Sequence, residues 1–324
     1  INSEKGFIYF PVPRSISSSS GDDEGSRERF SIKLDFSNQN SLYDTANLNY
    51  YSQETEQNQV TVQNQVSFFG GMQAAPTPTI RVREFDFNQS IDGFTFEAFK
   101  ATGNHQIVYG IDIEKTETER PRMLTEINLL TGIPTIVVDG ETYPNKTFPD
   151  SETKRKALFF NDRFNVSDNA VLNIGLRFDD YELNVKPDLL LSNANILNYK
   201  ISNTEDNAVS LKLGYLQDLG ENLTGFIQYA EGFKAPNYES SNTVVTNYLY
   251  YYTVIPNPDL ESEESETFEV GFRGSRENDS WELAIYRSEV EGFVHPEIVG
   301  FSQGLGVYQY QNAENVEVQG FEID

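Results

Sequence analysis

The chain has 324 residues, 38% of them hydrophobic, with 24 Lys and Arg against 50 Asp and Glu and a formal charge of -26. That charge disfavours a phosphate backbone or an anionic inner leaflet, so no nucleic-acid partner is expected. A mean hydropathy of -0.51, with no apolar run near the ~20 residues of a helical span, excludes a helical membrane protein.

Zero cysteines removes disulfide scaffolds, thiolate metal sites and Cys nucleophiles together. Aromatic residues at 13% are too abundant for a disordered chain. The alternation that organises these residues has period two, the mark of strands whose two faces meet different surroundings.

A short strand is predicted near 6–10 and a longer one over 27–37, where Phe30, Ile32, Leu34 and Phe36 alternate with Ser31, Lys33 and Asp35. Strands follow near 44–66 and 80–101. In the second the pattern changes phase partway, which predicts a bulge or a split. After the tight turn Thr102-Gly103-Asn104 comes a strand over 105–116 with Ile107, Tyr109, Ile111 and Ile113 on one face. Later strands are predicted near 153–166, 170–183, 206–217, 222–233, 264–275, 279–293 and 307–324. That makes about twelve, each with one apolar and one wet face.

The connections alternate in length. Tight turns are expected at Thr102 to Asn104, Ser167 to Asn169, Asp218 to Asn222 and Arg276 to Asp279, and long polar segments at 115–153, 182–206, 233–264 and 292–306. One end of the sheet is trimmed and the other elaborated, as in an antiparallel transmembrane β-barrel of the outer membrane. A soluble β-sandwich or β-rich surface adhesin also alternates, but its loops do not segregate by length over so many strands. The final residues, Gly320 to Asp324, read as a strand with no following turn. The expectation is therefore one domain over 1–324 that is an internal piece of a longer barrel.

Few side chains suit catalysis. His105 and His295 are the only histidines, and each is isolated in sequence, so neither a metal cluster nor a catalytic triad is expected. His105 starts a strand, whereas His295, in a long segment, is a candidate haem or metal contact. The richest loop follows Phe233-Lys234-Ala235-Pro236, carries Tyr248, Tyr250, Tyr251 and Tyr252, and returns through Asn257-Pro258-Asp259-Leu260. Tyrosine interleaved with asparagine is the chemistry of a binding surface. An aromatic girdle at the membrane boundary is the other reading of the same tyrosines. The acidic runs at Asp22 to Glu24 and Glu261 to Glu266 read as solvated faces.

These residues resemble a known family. Tyr229 to Pro236 is similar to the Phe-Arg-Ala-Pro box, and Asn257 to Leu260 to the Asn-Pro-Asn-Leu box, of TonB-dependent outer-membrane receptors, in particular the haem, haemoglobin and transferrin branch. His105 to Gly110, Phe148 to Thr153, and Asn312 leading to Gly320-Phe321-Glu322 add weaker matches. The resemblance implies a 22-stranded barrel closed by an N-terminal plug, with import driven by the TonB complex of the inner membrane. About twelve strands would then be part of that barrel, with the plug domain absent.

Two departures stand out: Lys234 replaces the box's arginine, and no histidine lies between Asn237 and Pro256, where the haem receptors carry a ligand. The expectation is a non-enzymatic receptor in the outer membrane of a Gram-negative bacterium. It would be embedded in outer-membrane lipid, work with the TonB complex through the plug, and bind an iron-containing ligand or its carrier protein. No permanently bound cofactor is expected, haem or a ferric complex being the cargo. A passive outer-membrane porin or a surface adhesin is the alternative.

Overall fold

The computed structural model describes residues 14–323 except 39, 70, 72, 249, 277 and 278. The strand predicted near 6–10 lies outside the described residues. The chain forms β1 (Arg14–Ser37), β2 (Thr45–Ser67), β3 (Thr77–Thr102), β4 (His105–Glu119), β5 (Pro121–Asn128) and the two-residue pieces β6 (Pro134–Thr135), β7 (Val137–Val138), β8 (Glu141–Thr142) and β9 (Asn145–Lys146). It continues as β10 (Asp150–Ser167), β11 (Ala170–Lys186), α1 (Leu189–Ala194), β12 (Thr204–Gly220), β13 (Leu223–Lys234), α2 (Tyr238–Asn242), β14 (Val245–Asn247), β15 (Tyr252–Ile255), β16 (Glu263–Arg276), β17 (Asp279–Ser302) and β18 (Leu305–Ile323).

Eleven long strands make one antiparallel meander in the order β1-β2-β3-β4-β10-β11-β12-β13-β16-β17-β18. The register shows why the sequence alternates. Leu34, Leu48, Phe96, Ile111, Leu158, Phe178 and Val209 stand opposite one another across seven strands. Leu172, Tyr215, Ile227, Val270, Ile285 and Phe321 continue the band toward the other edge. These side chains are not buried: Phe30 is 59% exposed and Ile285 58%. A continuous apolar band left uncovered on one face of a sheet is what lipid contact requires. No helix among the described residues is long and apolar enough to cross a membrane.

The opposite face is polar and must be the inner one. One of its rows runs Gln106, Arg163, Asn173, Gly214, Gln228, Glu269, Tyr286 and Gly320. Its aromatic side chains lie flat against the wall rather than filling the interior. Tyr51 covers Gly93, Phe159 covers Gly110, Phe226 covers Gly271 and Tyr286 covers Gly320, each ring directly opposite its glycine in the ladder. A glycine here leaves room for the neighbouring ring, which in turn shields the bare backbone.

Three expectations are corrected. The phase change in 80–101 produces no bulge: β3 pairs with β2 in unbroken register from Thr77 to Phe99. Its neighbour breaks instead, since β4 covers Asn88 to Thr102 and β5 covers Thr79 to Phe85. Above the lipid band the two faces no longer meet different solvents, so apolar residues there need not keep phase. β1 starts at Arg14 rather than 27, because ladder hydrogen bonds to β2 hold the polar Ser17 to Gly25 stretch extended. The segment 292–306 is not a loop but the upper part of the β17–β18 hairpin, which turns at Gln303-Gly304. His295 therefore lies half-buried on a strand, opposite Gln311.

The aromatic cover predicts a sharp difference between two inner glycines. A Cβ on Gly110 would lie 2.1 Å from the Phe96 carbonyl oxygen and 2.6 Å from the Phe159 ring, whereas on Gly214 the nearest atom is 3.6 Å away. Gly110→Ala is expected to destabilise the barrel by about 1–3 kcal/mol and Gly214→Ala to leave it unchanged, read as the unfolding temperature in detergent. Equal unfolding temperatures for the two variants would refute this account of the wall.

Candidate ligand-binding face

At the elaborated end, long connections fold over the sheet and hold one another through asparagines. Asn242, fully buried, accepts from the Ser202 amide at 3.0 Å and donates to the Ser202 carbonyl at 3.1 Å, joining two loops 40 residues apart. The buried Asn257 donates to the Tyr310 carbonyl at 2.8 Å and accepts from the Asp259 amide at 3.1 Å, and its own amide donates to the Ser241 carbonyl at 3.0 Å. Asn312 accepts from the Glu261 amide at 3.0 Å and returns a bond to the Glu261 carbonyl at 2.9 Å. An amide side chain carries both donor and acceptor, so it can pair a loop backbone in both senses.

The two sequence boxes sit at the base of this structure. Lys234 pairs with Glu263 at 2.8 Å where β13 meets β16. Pro236 is buried, and its carbonyl accepts from the Tyr181 hydroxyl at 3.1 Å. Phe233, Ala235, Pro258 and Leu260 are half-buried, and Asp259 is exposed. The box residues thus fasten the loop to the barrel.

The tyrosines separate into two groups. β15 runs parallel to β18, with Tyr252 opposite Gly306 and Ile255 opposite Gln309, and β14 pairs on its outer side. The Tyr252 ring meets Tyr308 edge-on at 5.9 Å. Tyr248 is half-buried, and burial, with the nearby Glu141 charge, raises its hydroxyl pKa. Tyr250 and Tyr251 occupy the turn between β14 and β15 and are 72% and 54% exposed. Tyr251 adopts a positive φ of 55°, and its carbonyl accepts from the Gly306 amide at 2.9 Å. The 80%-exposed Phe301 stands on the other side of Gly306, from whose ideal Cβ position its ring is 3.9 Å distant. Tyr250, Tyr251 and Phe301 are the exposed aromatics about Gly306 and make up an aromatic tip beyond the outward-facing apolar rows.

Behind this tip, the 129–149 segment folds over the inner face and is held by charge. Glu126 is 3% exposed and accepts from Gln65 at 3.1 Å and Arg81 at 3.2 Å, while Asp139 binds Arg14 at 2.6 Å and Arg81 at 2.7 Å. Lys146 is buried, which lowers its pKa, but hydrogen bonds to Asp150 and Asp188 outweigh that and hold it above the ordinary value. Burial raises the Asp188 pKa, but bonds from the Leu191 amide and Lys146 bring it below the usual value. Asp188 also caps α1, its carboxylate accepting from the Leu191 amide at 2.8 Å. No group of three or more potential metal ligands occurs among the described residues. Asn242 and Asn312, singled out in the sequence as a loop asparagine and a family match, prove to be loop staples; sequence reasoning missed Phe301 and Tyr181, of which only Phe301 carries a local signal, as a large aromatic just before the Gln303-Gly304 turn.

Residues 5–324 match the family model described as "TonB dependent receptor-like, beta-barrel". The chain belongs to this family. Solved structures agree in fold. The copper transporter OprC superposes with a TM-score of 0.61 at 14% identity, covering 93% of this chain and 44% of its own. The hemophore receptor HasR of Serratia marcescens, in complex with its hemophore HasA and heme, gives 0.53 at 14% identity and covers 92% and 51%. The FrpB iron transporter from Neisseria meningitidis gives 0.51 at 9% identity and covers 92% and 49%. No curated protein matches. The chain thus spans about half the length of these structures, and at such identities the likeness shows the fold alone. Barrels of the family are outer-membrane proteins of Gram-negative bacteria, and the family comprises transporters and receptors rather than enzymes.

The capping role of Asp188 has a measurable consequence. Its lowered pKa means that the stability it gives α1 is full above the ordinary carboxylate range and is lost as pH falls through the depressed value. Asp188→Ala is expected to speed hydrogen exchange of the α1 amides roughly 5- to 30-fold at neutral pH, the effect of losing one or two kcal/mol locally. Unchanged exchange would show that α1 is held by other contacts.

Proposed function

We propose that this barrel is the receptor portion of a TonB-dependent importer that captures an iron-containing ligand, such as haem, a haem-protein or a ferric siderophore, at its elaborated outer end. The observation that carries the reading is the aromatic tip. Tyr250 and Tyr251 are held out to solvent by a loop that is itself stapled to the barrel through Asn257 and Asn242. Exposed rigid aromatics on a fixed support lose little entropy when they close on a ligand. The neighbouring structures include an iron transporter, a receptor for a haem-carrying hemophore and a copper transporter, so metal-bearing cargo is what they have in common.

In this reading the ligand is caught by the loops and released toward the lumen. A plug contributed by the longer receptor gates it, and the TonB complex supplies energy. The cargo is transported, not retained as a cofactor. Haem ligation would fall to tyrosine, because the Asn237 to Pro256 loop has no histidine and His295 stands on a strand. Tyr250 and Tyr251 are the tyrosines with exposed side chains for that role; Tyr248 and Tyr252 are packed within the loop.

The test is a binding panel on the full-length receptor with haem, haemoglobin and ferric siderophores. Tyr250→Ala with Tyr251→Ala is expected to weaken the one bound ligand by about tenfold or more, the scale of a pair of interface aromatics, with the unfolding temperature unchanged. Full affinity in this variant would reject the aromatic tip as the capture site.

A further inference from the structure

One seam of the wall is closed by side chains rather than by backbone. The ladder between β12 and β13 ends at Lys212 opposite Ala230, yet β12 runs on outward from Leu211 to Thr204 and β13 from Glu231 to Lys234. Beyond that point β12 pairs with β11 alone and β13 with β16 alone. Among the described residues, no other two neighbouring long strands both run on for several residues past their shared ladder. The break begins where β13 leaves the lipid: Tyr229 is followed outward by Glu231, whose row continues across the sheet as Glu266, Glu289 and Glu317. At that level water can serve an unpaired backbone, so the wall need not be closed.

Two side-chain bonds clasp the seam. The Leu211 amide donates to the Glu231 carboxylate at 2.8 Å, and the Ser262 hydroxyl donates to the Asp206 carboxylate. Behind them, on the lumen side, lies a hollow of about 510 Å³ lined among others by Ser210, Lys212, Glu231, Gly232 and Phe233. Isolated bonds open one at a time, whereas a ladder opens as a unit.

The tyrosine loop bridges the same seam. Its first limb is fastened to the β1 to β12 side: the Pro236 carbonyl accepts from the Tyr181 hydroxyl at 3.1 Å, Asn242 holds Ser202, and the Val244 amide donates to the Thr147 carbonyl at 2.6 Å. Its second limb is fastened to β18, through β15 and through bonds from Gln309 to the Pro256 carbonyl at 2.7 Å and from Asn312 to the Glu261 carbonyl at 2.9 Å. β14 against β15 joins the limbs, and Tyr250 and Tyr251 stand at the turn between them.

We propose that the β12–β13 seam is an expansion joint in the barrel mouth. The outer half of the wall parts there into two leaves, β1 to β12 and β13 to β18, with Lys212 and Ala230 as the hinge and the tyrosine loop as the strut between them. The joint stands apart from the capture reading. Its control by cargo rests on that reading, because a ligand gripping Tyr250 and Tyr251 bears on both leaves.

The experiment measures distances between nitroxide labels on the full-length receptor in detergent. These 324 residues hold no cysteine, so labels can be placed at will once any cysteine elsewhere is replaced by serine. Lys156→Cys/Glu264→Cys spans the seam, and Lys156→Cys/Glu28→Cys spans unbroken ladder. Each pair is four strand spacings apart, about 19 Å laterally. Asp206→Ala/Glu231→Ala, which removes both clasps, is expected to lengthen the seam distance by about 5 Å, one strand spacing, and to leave the other pair as it was. Adding Asn242→Ala, which frees the strut from Ser202, is expected to widen the seam further; equal distances in the double and triple variants would remove the loop as strut. A seam distance that stays put in the triple variant overturns the joint, and so does an equal change in the pair across unbroken ladder. No cargo enters the measurement, so a failure of the tyrosine variant to lose ligand bears on the outer tip alone.

Discussion

Everything in this molecule depends on the antiparallel ladder being complete at the depth of the lipid. Hydrocarbon offers no partner to a backbone amide or carbonyl, so each strand must bond to both neighbours through the band where Leu34, Phe96, Leu158 and Val209 face outward. That requirement fixes register. Once Leu48 stands opposite Phe96, a slip of one residue would turn every polar inner side chain into lipid. The glycines under Tyr51, Phe159, Phe226 and Tyr286 serve the same end, since they let large rings lie in the wall without forcing strands apart.

Above the lipid band that constraint lapses, and a different chemistry takes over. The outer connections are too polar to gather a large apolar core, and they are ordered by amide side chains and buried ion pairs instead. Asn242, Asn257 and Asn312 each satisfy backbone groups of distant loops, and Glu126 with Asp139 locks Arg14 and Arg81 beneath the 129–149 segment. Such contacts are directional, so the aromatic tip is held in one place by the loops beneath it. Breaking one would leave a buried polar group unmatched, at a cost of about 1–3 kcal/mol.

This division explains what could be read from the sequence. Alternation in strands such as Leu172 to Phe178 and Trp281 to Ile285 reports the two solvents directly, and the rhythm of short and long connections reports the two ends. Strand existence, sheet order and family were therefore legible. Where the faces stop differing, the signal stops too. The polar start of β1 and the upper β17–β18 hairpin carry no alternation, although their backbones are fully strand. The site was legible only in type: a tyrosine-rich loop was evident, but which tyrosines face outward depends on β15 pairing with β18, a contact between residues some 54 apart that no local pattern encodes.

That parallel pairing has a mechanical consequence. The side of β18 turned away from β17 is already bonded from Gly306 to Gln309 by β15, so any further strand joining the barrel there must begin its pairing lower on β18. The loop bearing Tyr250 and Tyr251 is thus a splice in the rim rather than a free flap. For it to swing, the β15–β18 pairing must first unzip, so movement of the tip costs the ladder bonds that β18 holds there.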